Sequence, residues 1–125
     1  MTIRTGTRRI LIVDDEAAIR RMLDLYFTSA GFDVRTAANG EEALLMGQTE
    51  QFDVLLSDVL MPGINGHEVV QWFQAWSPHT RTVLMSGFDD IRCCGRSQCN
   101  SSLQKPFRPY EAVSTIERIL ATQAN

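Results

Sequence analysis

The feature that most constrains this chain is an alternation between two hydrophobic periods. Ile10-Leu11-Ile12-Val13, Val54-Leu55-Leu56 and Thr82-Val83-Leu84-Met85 are nearly continuous apolar runs rich in β-branched residues. Runs of this kind are expected of strands covered on both faces, as in a parallel sheet. Phe32, Val34 and Thr36 alternate with polar residues, which predicts a strand with one wetter face at a sheet edge. Ser101 to Gln104 is a weak fifth strand, marked mainly by its place in the alternation.

Helical patterns fill the gaps. Ile19, Met22, Leu23, Tyr26, Phe27 and Ala30 recur at three- and four-residue spacing, and Gly31 predicts the stop. Asn39 with Glu42 has capping-box spacing before a short helix expected to end near Gly47. Asn65 with Glu68 repeats the signal before Val69, Val70, Phe73 and Trp76. A last helix starts near Pro109 and carries Ala112, Val113, Ile116, Ile119 and Leu120 on one face. Only residues 89–100 read poorly as a helix. Strand-helix pairs in strict alternation imply an α/β fold, with an open parallel sheet, right-handed crossovers and helices on both faces. Trp76 is expected in the core and Trp72 partly exposed.

With 125 residues and no repeat or linker, residues 1–125 are expected to form one domain, with an approximate core at 8–121. The net charge of -3 argues against nucleic acid as the main ligand, because displacing phosphate counterions needs a basic stripe. No apolar run reaches the length of a membrane span and no signal-peptide pattern opens the chain, so a cytoplasmic setting without a membrane partner is expected. Cys93, Cys94 and Cys99 are too few and too clustered for a disulfide framework or a zinc site, and read as small half-buried thiols. His67 and His79 read as exposed residues.

In such a sheet, ligands bind beyond the carboxyl ends of the strands. The first strand ends in Asp14-Asp15, the third in Ser57-Asp58, the fourth in Ser86-Gly87 and the fifth in Lys105-Pro106. The fold therefore brings three carboxylates, a hydroxyl and a lysine to one edge. That lysine is the only one in the chain; the other basic residues are arginines. Carboxylates so close repel one another, and a hard divalent cation such as Mg²⁺ relieves the repulsion. A cation with open positions, a lysine and a hydroxyl suit the three oxygens of a transferring phosphoryl group. A carboxylate nucleophile would become an aspartyl phosphate.

Ile10 to Glu16 (ILIVDDE), Asp53 to Gly63 (DVLLSDVLMPG), Val83 to Gly87 (VLMSG) and Leu103 to Phe107 (LQKPF) resemble, in order and spacing, the signature segments of response-regulator receiver domains. The resemblance implies a flavodoxin-like doubly wound (βα)5 fold with strand order 2-1-3-4-5. It implies that Asp58 is the phosphoacceptor, and that Asp14, Asp15, Asp58 and the carbonyl of Leu60 hold Mg²⁺. Ser86 would be the switch hydroxyl and Lys105 the phosphoryl partner, with a cis peptide before Pro106. The implied partners are a histidine kinase or phosphotransfer protein, which donates the phosphoryl group, and a downstream protein target. By the same resemblance the chain is a signalling switch, not a turnover enzyme, although it assists its own phosphorylation and dephosphorylation.

Three departures stand out. Ser102 occupies a position where the family commonly has Tyr or Phe, so the aromatic half of the switch is missing. The segment between Ser86 and Lys105 is short, which predicts a short or shifted fourth helix. Leu60 and Phe88 stand at positions that flank the hydrolytic water in this family, and both are bulky and apolar. Because the chain stops after the last helix, its output is expected to lie elsewhere, either in a protein contacted by a free-standing receiver or in a hybrid kinase or larger regulator from which the receiver is cut. A Mg²⁺-dependent phosphohydrolase with an aspartate nucleophile is a remote alternative, since it normally carries an acid-base aspartate where Leu60 stands.

Overall fold

The computed structural model describes residues 7–87 and 101–122. Along the chain these form β1 (Arg9–Val13), α1 (Ala17–Ser29), β2 (Asp33–Ala37), α2 (Gly40–Thr49), β3 (Val54–Asp58), α3 (Gly66–Trp76), β4 (Arg81–Ser86), β5 (Ser101–Gln104) and α4 (Pro109–Thr122). All five strands are parallel in one sheet, ordered β2-β1-β3-β4-β5. That is the expected doubly wound α/β arrangement, and it puts β2 at an edge with an exposed and half-buried alternation from Asp33 to Thr36. The expected helix between β4 and β5, Phe88 and the three cysteines lie outside the described residues.

The continuous apolar runs are explained by burial on both faces. Ile10, Ile12, Val54, Leu56, Val83 and Met85 point to one side, where Leu23 and Phe27 of α1 and Ile116 of α4 cover them. Leu11, Val13, Leu55 and Leu84 point to the other, under Ala43 of α2 and Val69, Val70 and Phe73 of α3. Successive strand side chains alternate between faces, so each run feeds two cores at once. No helix among the described residues is long and apolar enough to cross a membrane.

Helix boundaries follow the caps. The Asn39 side chain accepts the Glu42 N–H at 2.8 Å, while the Glu42 carboxylate takes the N–H of Ala38 rather than that of Asn39. Asn65 and Glu68 form the full reciprocal box. At the end of α1, Gly31 takes a φ of 97°, a conformation that glycine enters without steric cost.

Four expectations are corrected. The second helix continues past Gly47 to Thr49, because Gly47 is a packing position rather than a stop: a Cβ there would lie 2.7 Å from the Phe73 ring. Tyr26 and Ala30 are exposed, since α1 meets the sheet along the narrower stripe of Leu23 and Phe27. Trp76 is 58 % exposed on the last turn of α3, stacked on half-buried Trp72 with ring centroids 5.3 Å apart. It lies past the stripe that Val69, Val70 and Phe73 turn toward the sheet. His79 is exposed as expected, but His67 is half-buried in the first turn of α3.

Candidate functional site

Each strand delivers its last residues to the same edge. Asp14 follows β1 directly, Asp58 closes β3, Ser86 closes β4 and Lys105 follows β5. The parallel register sets them side by side, with Val13 opposite Ser57, Asp58 opposite Met85 and Ser86 opposite Gln104. Sequence separations of tens of residues therefore collapse to hydrogen-bonding distance. Carboxylate oxygens of Asp14, Asp15 and Asp58 lie within 4.8 Å of one another. Lys105 Nζ sits 3.2 Å from Asp14 Oδ2 and 3.4 Å from Asp58 Oδ1. Asp14 is fully buried and Asp58 nearly so, while Asp15 faces solvent.

The surrounding backbone holds this cluster firmly. The Asp14 amide donates to the carbonyl of Ala37 at 3.2 Å, and the Glu16 amide donates to Asp14 Oδ1 at 2.9 Å. Arg20 Nη1 donates to the carbonyl of Asp14 at 2.7 Å. On the other side, the Val59 amide donates to Met85 and the Gly66 amide to Val59. Gly66 permits this last contact, since a Cβ there would stand 2.3 Å from the carbonyl oxygen of Asp58. The amide of Lys105 donates to the carbonyl of Ser86 at 2.7 Å, and the peptide between Lys105 and Pro106 is cis, as expected.

Electrostatics leave the site short of positive charge. Burial raises the Asp58 pKa from its ordinary value to about 6, and repulsion from Asp14 and Asp15 adds to the shift while Lys105 opposes it. Burial alone would lower the Lys105 pKa, but attraction to Asp14 and Asp58 outweighs it and holds the ammonium charged. One lysine faces three carboxylates, an arrangement that could hold a metal ion, and all-oxygen donors are what a hard divalent cation prefers. The Ser86 hydroxyl is buried, and its Oγ has no hydrogen-bond partner among the described residues. A buried hydroxyl left unsatisfied at a site edge is suited to an incoming ligand oxygen.

Asp14, Asp15, Asp58, Ser86 and Lys105 therefore gather at one edge, as the sequence implies. Leu60 lies in the loop after β3, two residues past Asp58 and 63 % exposed. Two contributors escape the sequence reading. Arg20 shows a signal in being a cation near the start of a helix, against the helix dipole. Gly66 shows one in directly following the Asn65 cap.

Comparison with known proteins agrees with this geometry. The family model described as response regulator receiver domain matches residues 10–117. Transcriptional regulatory protein ResD of Bacillus subtilis (strain 168) is 33 % identical over 119 residues, covering 94 % of this chain and 50 % of that protein. The chain spans about half the length of the curated relatives it matches. Chemotaxis response regulator CheY4 of Vibrio cholerae superposes with a TM-score of 0.83 at 31 % identity, covering 91 % of this chain and 99 % of that one. A CheY-like receiver domain protein from Methanospirillum hungatei JF-1 shares the fold with a TM-score of 0.88 at 24 % identity, over 95 % and 98 % of the two chains. With its sheet order, its crevice of acids and the family match over most of its length, the chain belongs to the response regulator receiver domain family.

Proposed function

We propose that this chain is a phosphoryl-accepting switch in which Asp58 takes a phosphoryl group from a histidine kinase or phosphotransfer protein, with Mg²⁺ held by Asp14, Asp15, Asp58 and the carbonyl of Leu60. The observation that carries the reading is the packing of three carboxylates and Lys105 Nζ around the end of β3. An oxygen of Asp58 attacks phosphorus, the phosphorus–nitrogen bond of the phosphohistidine breaks, and the imidazole nitrogen leaves with the bonding pair. Mg²⁺, when bound, supplies charge for the phosphoryl oxygens and offsets repulsion among the acids. Lys105, already 3.4 Å from Asp58 Oδ1, is placed to pair with a second phosphoryl oxygen, and the Ser86 hydroxyl, without a partner among the described residues, with a third.

The added charge acts on a two-state element. Ser86 moves toward the phosphoryl group and carries Gly87 with it, and the changed surface meets a downstream protein. Ser102, exposed on edge strand β5, supplies no ring to this movement, so other contacts must transmit it. The domain assists its own phosphorylation and slow dephosphorylation and is not a turnover enzyme. This chemistry is the same in a free-standing receiver and in one joined to a larger regulator or hybrid kinase.

Incubation with acetyl phosphate, with and without Mg²⁺, followed by intact mass, tests the reading. One phosphoryl mass is expected on the parent with Mg²⁺ and none on Asp58→Asn. Equal labelling of both, or none on the parent, would overturn it.

A further inference from the structure

We infer that Arg20 is the positioning residue of the acidic turn: by holding the carbonyl of Asp14 it sets the direction in which Asp14 and Asp15 face a bound cation. The inference rests on the reading of the crevice as a divalent-cation site. Its basis is how Asp14 is tied down. The amide donates to Ala37, Oδ1 receives the Glu16 amide, Oδ2 lies 3.2 Å from Lys105 Nζ, and the carbonyl receives Arg20 Nη1 at 2.7 Å. Three of these partners come from the backbone or from across the crevice. Arg20 is the one side chain that reaches back from α1 to the turn itself.

The turn needs such a hold. Asp14 is buried and kept in place on every side, but Asp15 is exposed, and its direction follows from the peptide that joins it to Asp14. Releasing the Asp14 carbonyl frees that peptide to rotate, which turns Asp15 away from the other two carboxylates.

Local preference points the same way. The first turn of α1 has no acidic residue, its N-cap Glu16 makes no side-chain cap, and Arg20 follows close behind. A cation there opposes the helix dipole, so its position is not explained by helix stability. A residue that breaks a local rule while gripping a site is expected where function overrides stability.

Positioning and plain electrostatics predict opposite signs. Arg20 adds positive charge beside the carboxylates, so by Coulomb's law alone its removal tightens cation binding. If Arg20 positions the turn, its removal weakens binding, by about tenfold, as is typical when an outer partner of a metal ligand is lost. The experiment is calorimetric titration of MgCl2 into the parent, Arg20→Ala and Arg20→Lys chains, with amide shifts of Asp14 to Glu16 recorded alongside. Weaker binding in Arg20→Ala, displaced amide shifts, and recovery of most of the affinity in Arg20→Lys are expected. Should Arg20→Ala fail to fold, Arg20→Gln carries the same comparison. If Arg20→Ala binds Mg²⁺ as tightly as the parent or more so, or leaves the three amides unmoved, the inference is wrong. A parent that binds no Mg²⁺ overturns the reading beneath it as well.

Discussion

The two ends of the sheet treat charge in opposite ways. At the amino-terminal edge, Arg9 pairs with Asp33 at 3.0 Å and with Glu50 at 2.6 Å, and it donates to the carbonyl of Gln51. Its amide donates to Asp53, and its guanidinium lies over the Phe52 ring at 5.1 Å. Arg35 adds a second cation to Glu50 at 3.0 Å. At the carboxyl-terminal edge, one lysine faces three carboxylates, and a buried hydroxyl has no partner among the described residues. At the first end each cation is engaged by carboxylates of the chain. At the second the Asp58 pKa is pushed up by burial and by its acidic neighbours, and the Ser86 hydroxyl has no partner among the described residues. Undercompensated groups of this kind recur at functional sites, whereas paired charges recur in structural clusters.

The contrast is easiest to break by substitution at each end. Asp58→Asn is expected to abolish phosphoryl incorporation from acetyl phosphate outright, whereas folded Arg9→Ala keeps it. Intact mass reads both, and a labelled Asp58→Asn or an unlabelled, folded Arg9→Ala would dissolve the distinction.

Stability against pH provides a second, smaller test. Unfolded Asp58 loses its proton near 3.8, but folded Asp58 keeps it until about 6. The folded state therefore binds more protons between those values, and its stability falls as pH rises through them. At about 1.4 kcal/mol per unit, the buried charge costs up to ~3 kcal/mol at neutral pH. Urea denaturation from pH 4 to 7 should show this slope in the parent and lose it in Asp58→Asn, which becomes the more stable at pH 7. Identical slopes would show that Asp58 is not strained. Mg²⁺ at pH 7 should restore stability to the parent and do little for Asp58→Asn.

Arg9→Ala should cost about 1 kcal/mol in the same assay, because it uncovers Phe52, while the Gln51 carbonyl is exposed and takes water instead and the partly exposed ion pairs add little. A loss near zero would mean that this end is solvated rather than internally compensated. The smallest effect is expected at Leu60. Its apolar side chain cannot orient a water, so Leu60→Asn should shorten the phosphoryl lifetime a few-fold, as followed by decay of the added mass. An unchanged or longer lifetime would remove Leu60 from the hydrolytic path.

Much of this was legible in the chain. The apolar runs announced β1, β3 and β4, and even the weak Ser101–Gln104 segment forms β5 with those bounds. The gathering of Asp14, Asp15, Asp58, Ser86 and Lys105 was legible because an α/β sheet sends the ends of its strands to one edge. Gly47 misled because a glycine inside a helix looks like a stop until the rings of Phe73 and Trp72 are seen against it. Trp76 misled because helical spacing shows which residues share a stripe but not where the sheet beneath the helix ends. Arg20 and Gly66 escaped because their roles lie in backbone contacts, a carbonyl grip and a close approach to Asp58, which no pattern of side chains encodes.

By itself, the sequence determined the order of elements, the two-faced burial of the strands and the identity of the acids, hydroxyl and lysine at their ends. Those follow from local periodicity and residue chemistry, which neighbours along the chain supply. Only the tertiary structure decided that Lys105 stands between Asp14 and Asp58, that burial lifts the Asp58 pKa, and that the Ser86 hydroxyl is buried without a partner among the described residues. These depend on distances and desolvation across parallel strands, and register and packing set both.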